Sequence, residues 1–257
     1  MDLQLHGRTA LVLGGTRGLG LACAEALAAE GVRILLNGRD AEHGRAAAAR
    51  LPRAEFIAGD VGRDDERRML LEAVARVAPP DIVVTNAGGP PTGLFEETDL
   101  AMWRAAFETN VAGPLEVVRA LLPMMRRRGF GRVLNITSFL AKELYPNMSL
   151  SSGVRVGLTG AMGALAREVA HQGITVNGLL PGLMDTGALQ RVIRDRMQRT
   201  GASEAAVREA MGSSVPARRL GTGADFGPLC AFLASPLAGY ITGQNICVDG
   251  GLARNVL

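Results

Sequence analysis

Gly14-Gly15-Thr16-Arg17-Gly18-Leu19-Gly20 is the stretch on which the reading of this chain turns. The apolar run Arg8–Leu13 precedes it and the alanine-rich stretch Leu19–Ala29 follows, so the glycines fall where a strand passes into a helix. Glycine at 14, 18 and 20 permits a tight turn and lets the backbone come close to a ligand. The helix that follows offers N–H groups without intrahelical partners, together with partial positive charge. A strand, a glycine turn and a helix N-terminus in that order predict a seat for the pyrophosphate of a dinucleotide, built from Gly14, Thr16, Arg17, Gly18, Leu19 and Gly20.

Outward from this loop, short apolar or β-branched runs alternate with longer helical patterns. Strands are expected at Val32–Leu36, Glu55–Ala58, Asp81–Thr85, Arg132–Ile136, Ile174–Gly178 and Asn245–Val248. Helices are expected at Ala41–Leu51, Asp65–Val77, Asp99–Thr109, Val111–Arg128, from about Leu150 to His171, and Ala224–Leu233. Such alternation implies right-handed βαβ units, a seven-stranded parallel sheet covered on both faces, and a Rossmann-type doubly wound, three-layer αβα fold. No Pro/Gly/Ser linker or internal repeat divides the chain, so residues 1–257 read as one domain. The arginine-rich segment 187–211 interrupts the alternation. It is either a lid over the substrate or a plain surface pair of helices.

Composition narrows the class. Of 257 residues, 47% are hydrophobic, enough for a large core without disulfides or metals. Cys23, Cys230 and Cys247 are odd in number and far apart, and no CxxC or Cys/His cluster suggests a metal site. A reducing, cytoplasmic setting fits this usage. Neither a signal peptide nor a membrane-spanning run is expected. The net charge of +3 rests on arginines that are dispersed apart from Arg126-Arg127-Arg128 and Arg191–Arg199, and only 4% of residues are aromatic. A nucleic-acid surface is therefore not predicted. Arg126–Arg128 instead suit the carboxyl end of a helix stopped at Gly129.

The residues after the second strand separate the two nicotinamide dinucleotides. An acidic residue there would accept hydrogen bonds from the adenosine ribose and repel a 2′-phosphate. This chain has Asn37-Gly38-Arg39, with Arg17 in the glycine loop. Two guanidinium groups near one ribose favour NADP(H) over NAD(H). If Arg39 is only a solvated charge, either cofactor would serve.

Taken in order, these features resemble the short-chain dehydrogenase/reductase family over nearly the whole chain. The loop has the family spacing G-x-x-x-G-x-G. Asp60-Val61 matches the pair that contacts adenine, Asn86-Ala87-Gly88 the family's N-A-G, and Asn110 the asparagine of its catalytic tetrad. Asn135-Ile136-Thr137-Ser138 matches the segment of the catalytic serine. Pro181-Gly182 and Thr186 match the residues that border the nicotinamide, and Val248-Asp249-Gly250-Gly251 the carboxyl-terminal signature. Within the family the chain is most similar to 3-oxoacyl-ACP reductases. The resemblance implies reduction of a carbonyl or oxidation of a secondary alcohol. It also implies a homodimer or homotetramer packed through the helix after Ser138 and the long helix before it; the stripe of small residues Gly153, Gly157, Gly160 and Ala164 permits either that contact or close packing onto the sheet within one chain.

The family normally carries Tyr-x-x-x-Lys on that helix. Here the two positions hold Ser151 and Arg155. A serine hydroxyl is a far weaker acid than a phenol, and a guanidinium does not give up its proton. Two readings follow. In one, carbonyl reduction persists with another proton donor: Lys142, the only lysine among 28 basic residues, lies just after Ser138, with Tyr145 a weaker candidate. In the other, the protein binds the dinucleotide without turnover, as a redox sensor or partner subunit. A subgroup similar to 3-oxoacyl-ACP reductases lacks the Tyr/Lys pair, often with Ser and Arg in its place, and this chain resembles it.

Overall fold

A computed structural model describes residues 1–254. Strands β1 (Thr9–Val12), β2 (Arg33–Gly38), β3 (Ala54–Ala58), β4 (Ile82–Thr85), β5 (Gly131–Ile136), β6 (Ile174–Pro181) and β7 (Asn245–Val248) form one sheet in the order β3-β2-β1-β4-β5-β6-β7. Every pairing is parallel. The strand order reverses between β1 and β4, which opens a crevice at their carboxyl ends.

Side-chain alternation along the strands explains why both faces are covered. Ala10 and Val12 of β1 enter one apolar layer with α1 (Gly18–Ala29) and α9 (Gly223–Ala234). Leu11 and Leu13 enter the other, beneath α3 (Asp64–Val77), α5 (Gly113–Arg128) and α6 (Ser149–Val169). Each fully buried Leu, Ile or Val contributes about 1.5–3 kcal/mol, and the central strands bury Leu11, Val12, Ile82, Val83, Val84, Val133, Leu134 and Ile136. Helices α1 and α9 meet at backbone distance: a Cβ on Gly227 would lie 2.6 Å from the Ala22 carbonyl oxygen.

Several elements differ from their sequence expectation for tertiary reasons. β6 runs past Gly178 to Pro181 because residues Gly178–Pro181 pair with β7. β2 likewise extends through Asn37 and Gly38, which pair with Ile57 and Ala58. The stretches expected at 99–109 and 111–128 become α4 (Leu100–Phe107) and α5, joined by one π-helical turn, Glu108–Ala112. Residues 187–211 fall within two helices, α7 (Gly187–Thr200) and α8 (Glu204–Ser214), broken at Gly201. This hairpin has its own apolar cluster of Leu189, Ile193, Val207 and Met211. α2 (Ala41–Ala49) covers the β2–β3 edge.

The arginine cluster at the end of α5 is structural. Gly129, at φ +60°, closes the helix; Arg128 pairs with the buried Asp81 at 2.8 Å, and Arg126 donates to Gln172. No helix among the described residues is long and apolar enough to cross a membrane.

Candidate active site

The glycine turn leaves β1 at the crevice. Gly14 and Gly18 take φ +54° and +58°, and a Cβ on Gly14 would lie 2.7 Å from the Asn86 carbonyl oxygen. Gly20 packs closer still: its Cβ would be 2.3 Å from the carbonyl oxygen of Gly14. The Asn86 side-chain amide donates to that same Gly14 oxygen at 3.0 Å, tying the loop after β4 to the turn. Arg17 precedes α1, and no side chain caps the first turn of the helix. Thr186 flanks Gly18 from the segment after β6. The result is a backbone cradle that any side chain would fill, and it fits a pyrophosphate.

At the end of β2 the Arg39 side chain is 71% exposed, with Nη1 3.7 Å from Asp60 Oδ2. Asp40, next in sequence, has its carboxyl held below the usual carboxylate range. The His43 N–H it accepts is the main cause, and Arg17 adds a smaller attraction. Arg17 and Arg39 follow the carboxyl ends of the neighbouring strands β1 and β2. Asp60 Oδ1 accepts from Gly62 N–H at 2.9 Å, and the Val61 carbonyl accepts from Arg67. Asn37 is buried and its amide donates to the Ile57 and Gly59 carbonyls, so this group is committed to joining β2 and β3.

At the other end, Asn110 lies in the π turn, buried, with its amide donating to the Ala106 carbonyl at 3.1 Å. Ser138 follows β5 in extended backbone and caps the 3₁₀ turn Phe139–Ala141, its Oγ accepting from Leu140 N–H at 3.2 Å. Ser151 is buried in the first turn of α6. One turn further on, Arg155 donates through Nε to Ser151 Oγ at 3.1 Å and through Nη1 to the Thr137 carbonyl. Burial pushes the Arg155 guanidinium down to about 10, which leaves it charged at neutral pH. A cavity of about 10 Å³, room for roughly one water, lies among Asn86, Ala87, Asn110, Thr137 and Arg155. Gly88 is exposed beside it. Pro181 ends β6, and Gly182 donates to the Val248 carbonyl at 3.1 Å.

Asn110, Thr137-Ser138, Ser151 and Arg155 thus converge from the π turn, β5 and α6. Lys142 lies exposed on the rim, in the loop that follows the 3₁₀ turn. Its charge is felt at Cys247 on β7, whose thiol burial pushes up, Asp249 reinforcing that rise and Lys142 opposing it. Two contributors escaped the sequence reading: the Thr137 carbonyl, which orients Arg155, and Gly89, where a Cβ would come within 3.2 Å of Arg155 Nη2. Neither carries a local signal, because each acts through a residue distant in sequence.

The family model for enoyl-(acyl carrier protein) reductase matches residues 14–253. The chain belongs to the short-chain dehydrogenase/reductase family. It is 36% identical to a nodulation protein G of Rhizobium sp. (strain N33), over 97% of this chain and 98% of the relative. It is 33% identical to the 3-oxoacyl-[acyl-carrier-protein] reductase of Haemophilus influenzae, over 96% and 99% of the two chains. Among solved structures, L-sorbose reductase from Gluconobacter frateurii, complexed with NADPH and L-sorbose, superposes with a TM-score of 0.94 at 27% identity over 100% of both chains. The doubly wound sheet of this chain is parallel, with helices on both faces.

Proposed function

We propose that this protein is an NADPH-dependent reductase of carbonyl compounds, of the 3-oxoacyl type, with a proton-transfer site unlike that of most of its family. The observation that carries the reading is the Arg155–Ser151 hydrogen bond beside Thr137-Ser138. When bound, the nicotinamide supplies a hydride. Ser138 and Ser151 keep their hydroxyl protons available to a substrate oxygen, because each Oγ acts as acceptor in the hydrogen bond described above. Arg155, by donating to Ser151 Oγ, makes that O–H a stronger donor and places fixed positive charge near the oxygen where negative charge develops. Lys142 delivers the proton from the rim of the site. Ser151 and Arg155 stand where the family's tyrosine and lysine would be, so the proton reaches the substrate oxygen by a route other than the family's phenol.

The preference for NADPH is supported by Arg17 and Arg39, after the carboxyl ends of β1 and β2, and by the NADPH bound to the sorbose reductase. Asp60 and Val61 would line the adenine; Asn86, Ala87, Gly88, Pro181, Gly182 and Thr186 would line the nicotinamide half. The helical hairpin 187–211, with its separate apolar cluster, is read as the lid of a one-domain enzyme. Assembly into a homodimer or homotetramer is supported by the outer face of α6. There Gly157 and Gly160 meet nothing within 4 Å of a built Cβ, and Val156 is 47% exposed. The three free thiols suit a cytoplasmic protein.

The deciding experiment measures NADPH and NADH binding, then NADPH oxidation with a panel of ketones and 3-oxoacyl thioesters. Turnover is expected, and Lys142→Ala should remove most of it; wild-type rates in that variant would exclude Lys142 as the proton source. Tight binding without turnover on any compound would favour the sensor reading.

A further inference from the structure

The loop that carries Ser138 and Lys142 is held from outside the strand that delivers it. Phe139 and Leu140 are buried, and the N–H groups of Lys142 and Glu143 both donate to the Phe139 carbonyl, at 2.9 and 3.0 Å. Beyond that turn the loop bears Leu144 and Tyr145 exposed to solvent, and the Asn147 carbonyl accepts from Gly93 N–H at 3.0 Å. A further support comes from Glu143. Its Oε1 accepts from the Tyr145 hydroxyl at 3.0 Å, and the Tyr145 ring packs edge-on against Phe139, centroids 5.7 Å apart. Its Oε2 accepts from the backbone N–H of Arg254, 111 residues away, at 2.8 Å.

The segment reached by that second oxygen is itself tightly organised. Asp249 accepts from Gly251 N–H and Ala253 N–H, at 3.0 and 2.8 Å, which curls the chain after β7 into a compact turn. That turn is pinned twice more. Gly182, after β6, donates to Val248 and packs so closely that a Cβ on it would lie 2.8 Å from Asp249 Cα. Ala217, in the segment leaving α8, donates to the Gly250 carbonyl at 3.1 Å. The carboxyl-terminal turn thus touches the segment after β6, the base of the 187–211 hairpin and, through Glu143, the loop after β5.

We infer that Glu143 is a positioning residue, a clasp whose two carboxylate oxygens hold the Ser138–Lys142 loop against the carboxyl-terminal turn and so fix the substrate side of the site. This rests on the proposed reductase function for its kinetic consequence but not for its structural one. Glu143 touches neither reacting atom nor cofactor. Its loss leaves the glycine turn, Arg17 and Arg39 untouched, so substrate recognition suffers and cofactor affinity does not.

Glu143→Ala tests this, with Glu143→Gln as the conservative partner, since a side-chain amide oxygen still accepts from Arg254 N–H. Backbone hydrogen exchange is followed by mass spectrometry in peptides covering 139–148 and 249–254, and NADPH affinity and the KM and kcat of the best carbonyl substrate are measured. In Glu143→Ala both peptides should exchange faster together, KM should rise about tenfold, the equivalent of one hydrogen bond to a charged group, and NADPH affinity should stay unchanged. Glu143→Gln should restore protection of 249–254 and most of the KM. Unchanged exchange in either peptide of Glu143→Ala overturns the clasp, and so does an equal loss of NADPH affinity, which would mark a general loosening. If no carbonyl is turned over, the proposed function fails while the exchange data still decide the clasp.

Discussion

Arg155 Nε lies 3.1 Å from Ser151 Oγ, one helical turn back on α6, and the same guanidinium reaches the Thr137 carbonyl at the end of β5. A cation is thereby fixed behind a hydroxyl at the carboxyl edge of the sheet. It cannot serve as a base near neutrality, but it can strengthen the hydroxyl as a donor.

Ser151→Ala removes the donor and leaves Arg155 without its acceptor. The kcat/KM for carbonyl reduction should fall about 100-fold, within the range for loss of one oxyanion-stabilising donor. NADPH affinity, measured by fluorescence titration, should be unaltered. A loss confined to cofactor affinity would place Ser151 outside the reacting centre.

Arg155 also sets a pH expectation. Burial lowers its folded value to about 10, below the ordinary guanidinium range. The guanidinium is therefore charged across neutral pH, and any activity that depends on it declines only as pH approaches the folded value. For stability the sign is opposite to that of a salt-bridged cation: the unfolded chain holds this proton more tightly, so burial of the charge costs stability below about pH 10, and the cost is relieved as pH rises further. Arg155→Met should accordingly keep the melting temperature near or above wild type while abolishing most turnover, checked by calorimetry and by NADPH oxidation.

Arg39→Ala should weaken NADPH binding about tenfold or more, as expected for loss of a charge-assisted contact with a phosphate, and leave NADH binding almost unchanged. Isothermal titration at two salt concentrations checks this, since the difference between the cofactors should shrink at high salt. Equal losses for both would show that Arg39 does not meet the 2′-phosphate.

Gly20→Ala places a methyl 2.3 Å from the Gly14 carbonyl oxygen, a distance that neither backbone segment can absorb without moving. Overpacking of this kind costs about 1–3 kcal/mol, and the moved turn should no longer seat a pyrophosphate. Denaturant unfolding and NADPH titration read the two effects separately; wild-type values in both would contradict the cradle.

Much of this protein was legible in the sequence. The alternation of short apolar runs with longer amphipathic ones determines a doubly wound parallel sheet, because each element must bury a face with its own period and only helices on both sides of a sheet satisfy all of them. The Gly14–Gly20 turn was legible for a similar reason: positive φ and close backbone approach are demands that a local sequence must meet by itself. What the tertiary structure alone decided lies in contacts between distant segments. β6 extends to Pro181 only because β7 pairs with it, the Asn37 amide goes to β3, Arg155 is aimed by the Thr137 carbonyl, and Glu143 reaches Arg254. Hydrogen-bond partners across such separations leave no periodicity and no spacing in the chain, since an acceptor such as a backbone carbonyl is the same in every residue, and only folding selects which one is near.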